Sequence, residues 1–177
     1  MFAKGQKVVY PGHGVAHISK IFEQSIAGST TWYYELTFLN KKDVTIIVPI
    51  TNVEAVGIRS LTSEENISAA FNVLSQPVQK MSHYEFTASN WNKRNKDYQI
   101  KLRTGSLKAL LEIYRDLRTI EVHKELSFGE KNLLSHTEGL LVEEISLVKR
   151  VAHDKAVEQL RSLCFSKTLN GEYHNSI

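Results

Sequence analysis

The hydrophobic pattern of this chain changes its period once, near residues 57–62. Before that point, short runs of β-branched and aromatic residues alternate with polar or Gly/Pro turns. After it, apolar residues recur every three or four positions. A period of two belongs to a half-buried strand and a period near 3.6 to an amphipathic helix. Neither pattern can sit as the other, so the chain is expected to be α+β, in two domains. At 177 residues it is long enough for both to bury a core.

Lys7–Tyr10 reads as a strand stopped by Pro11-Gly12. Gly14–Phe22 reads as a second, with Val15, His17 and Ser19 on one face and Ala16 and Ile18 on the other. Gly28-Ser29 is a turn, Thr31–Leu39 a third strand, Asn40–Asp43 a polar turn and Val44–Val48 a fourth strand. Val53–Val56 is a candidate fifth. Short strands at close spacing predict a small barrel or sandwich.

About five helices are predicted after it. Thr62-x-x-Glu65 reads as a capping box, followed by the stripe Ile67, Ala70, Phe71 and Leu74 up to Gln76-Pro77. A loop over 77–88 precedes a helix from about Asn90 to Arg103, with Ser89 as its cap and Gly105 as its stop. Ser106 caps the stripe Leu107, Leu110, Leu111, Tyr114 and Leu117. Ser127-x-x-Glu130 is a second capping box, opening a long helix with Leu133, Leu134, Leu140, Leu141, Ile145 and Val148. Asp154 caps a last helix carrying Val157, Leu160 and Leu163. The tail from about Lys167 is polar.

Catalytic chemistry finds little support. Seven histidines show no HExxH spacing, and Cys164 is the sole cysteine, so neither a zinc site nor an intrachain disulfide is expected. Pro11-Gly12-His13-Gly14 precedes a strand rather than a helix, so it reads as a turn and not a phosphate loop. Glu64-Glu65 and Glu143-Glu144 are adjacent on helices and point apart, which makes them poor acid/base partners. No Gly-x-Ser-x-Gly nucleophile motif occurs. The chain is expected not to be an enzyme and to need no cofactor. Without an apolar leader at Met1–Gly5 or a run of about 18 apolar residues, it is expected to be soluble and cytoplasmic.

Net charge is only +3, but residues 91–108 carry six Lys/Arg against Asp97 alone. Within that block Asn90-Trp91-Asn92-Lys93-Arg94-Asn95-Lys96 sets an indole among three cations at a helix start. Cations and helix N-termini suit phosphates, and an apolar ring can wedge into a minor groove. The same spacing also puts Trp91 in line with Tyr98 and Leu102, as a core residue would be. Residues alone leave both readings open.

Four patches carry a resemblance. They are Phe2–Gly14 (FAKGQKVVYPGHG), Val48-Pro49 through Gly57-Ile58-Arg59, Asn90-Trp91-Asn92-Lys93-Arg94, and Leu126-Ser127-Phe128-Gly129-Glu130-Lys131. In this order they resemble the CarD/CdnL family of bacterial transcription regulators, from Phe2 to about Val148. The first 60 residues also resemble the polymerase-interaction domain of the transcription-repair coupling factor. The resemblance implies a Tudor/SH3-like small β-barrel over 1–60 that binds the β-subunit lobe of RNA polymerase. It implies an all-α bundle over 61–166 at the upstream edge of the promoter bubble, and leaves 167–177 as a flexible tail. Trp91 would enter the minor groove beside the −10 element, with Asn90, Lys93, Arg94, Lys96 and Lys131 facing DNA, and the open complex would be stabilised. Gln24, Ile26, Val44, Thr45, Ile46, Ile47 and Val48 would face polymerase. Gln24 and Ile47 stand where family members can carry polymerase-contacting arginines, so that contact would either be weaker or rest more on backbone pairing along the Val44–Val48 edge. The chain is expected to act as a monomer. The competing expectation is a protein-only adaptor, with a strand-binding module and a helical scaffold.

Overall fold

The computed structural model describes residues 1–26, 28–41, 43–76 and 88–165. Five strands come first: β1 (Lys7–Tyr10), β2 (Gly14–Ile26), β3 (Ser29–Phe38), β4 (Thr45–Pro49) and β5 (Arg59–Ser60). They form one antiparallel sheet in the order β4-β3-β2-β1-β5. A meander of four strands, a 3₁₀ turn at Ile50–Asn52 and a fifth strand returning to the first is the connectivity of a small SH3-like barrel. Val8, Ala16, Ile18, Tyr34, Leu36, Phe38, Val48 and Ile58 fill its interior.

Val53–Val56 is not a strand but a one-turn helix, α1, closed by Gly57 in the left-handed conformation (φ 81°). The strand that completes the sheet is Arg59–Ser60. A four-residue Val-Glu-Ala-Val run is too short for either period to show, and the glycine behind it is the helix signal.

Six helices follow among the described residues: α2 (Glu64–Ala70), α3 (Asn72–Ser75), α4 (Ala88–Thr104), α5 (Leu107–His123), α6 (Phe128–Lys149) and α7 (His153–Phe165). The first predicted helix is broken at Phe71 into α2 and α3, which accounts for the extra one. Its cap is Ser63, whose hydroxyl accepts from the Asn66 amide, and not Thr62. Ser89 and Asp154 lie inside α4 and α7 rather than before them. Ser106 does occupy the cap position of α5 but makes no side-chain cap hydrogen bond. The Ser127–Glu130 capping box of α6 forms as predicted. The loop predicted over 77–88 and the tail from 167 lie outside the described residues, apart from Ala88 in α4.

The bundle core gathers the predicted stripes of α2, α5, α6 and α7, with Ile67, Leu111, Tyr114, Leu117, Leu141, Ile145 and Leu160 fully buried. Each such side chain contributes roughly 1.5–3 kcal/mol of transfer free energy. Among the described residues, no helix is long and apolar enough to cross a membrane.

The two halves meet along a seam made largely of polar contacts. Glu144 of α6, only 1% exposed, accepts from both terminal nitrogens of Arg59 at 2.7 and 2.8 Å. It also accepts from the Thr62 amide and hydroxyl at 2.9 and 2.8 Å. Arg59 Nε in turn donates to the Gly105 carbonyl at 2.8 Å. Next door, Glu143 Oε2 accepts from the Val15 amide at 3.1 Å and from Asn40 Nδ2 at 3.4 Å. The pair does point apart, as their adjacency on a helix requires. One carboxylate takes the linker and the other takes the sheet. Pro11 lies against the α4–α5 turn so tightly that a Cβ on Gly105 would come within 2.8 Å of its ring.

Candidate nucleic-acid and polymerase interfaces

Two surfaces carry the residues singled out by sequence, one on each half. On the sheet, β4 is an end strand, paired among the described residues with β3 alone. Its outward backbone groups are therefore open to another strand, and Pro49 at its end is the kind of residue an edge tolerates. Thr45 and Ile47 face outward, Ile47 being 53% exposed. Val48 and the half-buried Ile46 turn their side chains to the barrel interior. The Phe38 amide donates to the Val44 carbonyl, so positions 44, 46 and 48 turn their backbone toward β3 and the outward backbone groups are those of Thr45 and Ile47. Val44 is exposed just before the strand begins.

Whether Gln24 joins that surface depends on a β-bulge that sequence reading missed. The register between β2 and β3 slips between Ile18 and Lys20. Ser19 sits in the irregularity, with its hydroxyl donating to the Glu35 carbonyl at 3.0 Å and to Glu35 Oε1 at 2.7 Å. One extra residue reverses which side chains face out. Ala16 and Ile18 face the core, yet beyond the slip Lys20, Phe22 and Gln24 pair with Glu35, Tyr33 and Thr31 on the outer face. Ile47, opposite Glu35, shares that face. Phe22 and Tyr33 stack there with ring centres 5.7 Å apart. The side chain of Ile26 lies outside the described part.

On the bundle, Trp91 occupies the second half-turn of the described α4 and is neither free nor core. Half-buried, it packs on the bundle and lines an open groove of about 550 Å³ between α4 and α6. Leu102 and Leu133 line the same groove, along with Asn95, Gln99, Asn132 and His136, and the β1–β2 turn Pro11–His13 closes one end. His136 Nε2 lies 3.0 Å from the Gly12 carbonyl. The indole rests on α6 where there is no side chain: a Cβ on Gly129 would fall 3.2 Å from Cζ2 of the ring.

The basic residues separate into two groups. Lys93 and Lys96 are exposed on α4. Lys131 is exposed on α6, where it pairs with the exposed Glu125 at 2.7 Å. Arg94 does not belong with them. Its side chain is 12% exposed and donates to Glu130 Oε1 at 2.9 Å. A carboxylate buried to 1% must be compensated, and Glu130 is met by Arg94, by Lys124 Nζ at 2.8 Å and by the Ser127 cap. Burial alone would raise the Glu130 pKa, but the bonds from Lys124 and Ser127 prevail and hold it below the usual carboxylate value. The pair spans 36 positions, so no local pattern could reveal it. Asn90 lies in α4, and its side chain is outside the described part.

No group of three or more His, Cys, Asp or Glu suited to a metal occurs among the described residues. The Cys164 thiol is pushed up by burial to about 11, which makes it an inert small apolar residue.

Two family models divide the chain at this seam. The CarD-like/TRCF RID domain matches residues 2–62, and the CarD C-terminal domain matches residues 69–161. Together they define a transcription-associated protein that interacts with RNA polymerase. The chain belongs to the CarD family, a family of non-enzymatic transcription factors. A candidate transcription factor of Bacillus subtilis (strain 168), YdeB, is 26% identical over 155 residues, which cover 85% of this chain and 94% of the relative. The solution NMR structure of the 72-residue N-terminal domain of Myxococcus xanthus CarD is 30% identical, covering 34% of this chain and 79% of its own, with a TM-score of 0.30.

Proposed function

We propose that this protein stabilises the open promoter complex, gripping RNA polymerase with residues 1–60 and the upstream edge of the bubble with residues 61–166. It acts as a cytoplasmic monomer. The β4 edge and the outer face carrying Gln24 and Ile47 meet the lobe of the polymerase β subunit. Trp91 meets the minor groove beside the −10 element, with Lys93, Lys96 and Lys131 on nearby phosphates and Asn90 at the start of the same helix. Arg94 has a different task, the compensation of Glu130 that keeps the end of α6 beneath the indole.

The observation that carries this reading is the seating of Trp91: braced on Gly129, yet on the wall of an open groove with cations nearby. A braced ring is pre-organised for a wedge, because little freedom remains to lose on binding. It shifts promoter opening only by binding open DNA better than closed. A coupling of about 1–3 kcal/mol corresponds to roughly 5–150-fold in open-complex population. The test is promoter opening by purified polymerase with the Trp91→Ala protein. Lost stimulation with an intact fold and intact polymerase binding supports the reading. Undiminished stimulation removes the indole wedge from it and favours the protein-only adaptor.

A further inference from the structure

The first turn of α6 displays an aromatic ring for which the fold has no use. Phe128 is 82% exposed, the most exposed large hydrophobic among the described residues apart from terminal Met1. Helix initiation does not need it. Ser127 and Glu130 form the capping box, and phenylalanine is only a middling helix former. A lone apolar side chain in water is ordinary by itself, and what distinguishes Phe128 is its setting.

That setting indicates the kind of partner the ring fits. The next residue, Gly129, is the seat of the Trp91 indole. One turn along α6, at the positions that flank it on the helix surface, stand exposed Lys131 and Asn132 rather than further apolar side chains. Glu130 beside it is neutralised by Arg94 and Lys124. Lys131 is 55% exposed and its partner Glu125 85% exposed. Such a pair is weakly held, so the ammonium can exchange a carboxylate for a phosphate. A ring with cationic and amide neighbours fits a base or sugar between phosphates better than the apolar face of a protein.

We propose that Phe128 is a second aromatic contact to nucleic acid, packing on an unstacked base or sugar edge of opened duplex DNA next to the step that Trp91 enters. This rests on the reading of Trp91 given above, and the experiment keeps the two apart. Full-length protein with a benzoylphenyl photocrosslinker at position 128 is irradiated in the complex with polymerase and promoter DNA. In parallel, open-complex lifetime is measured with Phe128→Ala, Phe128→Tyr and Trp91→Ala.

The expected result is a crosslink to DNA near the upstream fork and a lifetime at least about fivefold shorter with Phe128→Ala. Phe128→Tyr should restore it, and thermal unfolding and polymerase binding should be unchanged. If Trp91→Ala shortens the lifetime while Phe128→Ala does not, the inference is wrong and the Trp91 reading stands. If Trp91→Ala has no effect, that reading fails, and a crosslink to DNA still supports Phe128. A crosslink only to polymerase or to a second copy of this chain overturns the inference in every case.

Discussion

The barrel and the bundle treat charge in opposite ways. Inside the barrel the buried side chains are apolar, and the groups open to a partner lie on one edge strand and one face. The bundle encloses the carboxylates of Glu130 and Glu144, each 1% exposed and each met by an arginine. A buried ion pair is a poor source of net stability, because desolvating two charges costs about what their attraction returns. It is nevertheless very sensitive to the loss of one partner. The barrel side can therefore change its exposed residues freely, whereas the bundle side has geometry tied to a few charged groups. Those groups fix the linker in one case and the floor beneath Trp91 in the other.

Glu144→Ala should break this contrast most severely. It strands Arg59 and removes the acceptor of Thr62, and is expected to cost about 3–5 kcal/mol in urea denaturation. Protease cleavage near residues 59–62 should rise with it. Glu130→Gln comes next, at roughly 1.5–3 kcal/mol, and its pH dependence is diagnostic. A carboxylate with a lowered folded pKa adds stability that is complete above the ordinary carboxylate range and is lost as pH falls through the lowered value. The Gln variant should be flatter across that acid window.

Gly129→Ala should separate stability from function. Alanine favours the helix by up to about 1 kcal/mol, yet its Cβ presses on the indole at 3.2 Å. Equal or higher unfolding temperature with weaker promoter opening is expected. Glu143 responds to pH in the opposite sense to Glu130. Burial raises its pKa, the Val15 amide partly opposes this, and the neighbouring Glu144 adds to the rise. Its ionised form is thus the less favourable one in the fold, and stability from this group increases as pH falls from the raised folded value toward the ordinary one. Glu143→Gln should be neutral or stabilising at pH 7, by less than about 1 kcal/mol, and the difference should shrink in acid. Smallest of all, Ile47→Ser should leave stability within about 0.5 kcal/mol while weakening polymerase binding. Unchanged binding there would place the contact elsewhere on the barrel.

What sequence reading captured was local. β1 is bounded by Pro11-Gly12, the α6 capping box lies within four residues, and the α5 stripe repeats over three turns, so each is written in neighbouring positions. What it missed was set at a distance or by one inserted residue. Thr62 looked like a cap until its hydroxyl was claimed by Glu144, 82 positions away. Arg94 looked like one more cation in a basic run until Glu130 was folded beneath it. The bulge at Ser19 leaves no mark on the alternation except the arrival of Lys20, Phe22 and Gln24 on the outer side. Trp91 was ambiguous for a physical reason: the ring packs on the core and also lines an open groove, so its setting combines features of a buried and an exposed residue.

The double anchorage of Glu143 and Glu144 has a consequence for reach. A free tether of four residues lets its ends wander over about 10–12 Å, some three base-pair rises along a duplex. Pinned by Arg59, Thr62 and Val15, the chain has no such slack. The span from sheet edge to indole is then a built-in length, as on a caliper locked at one setting.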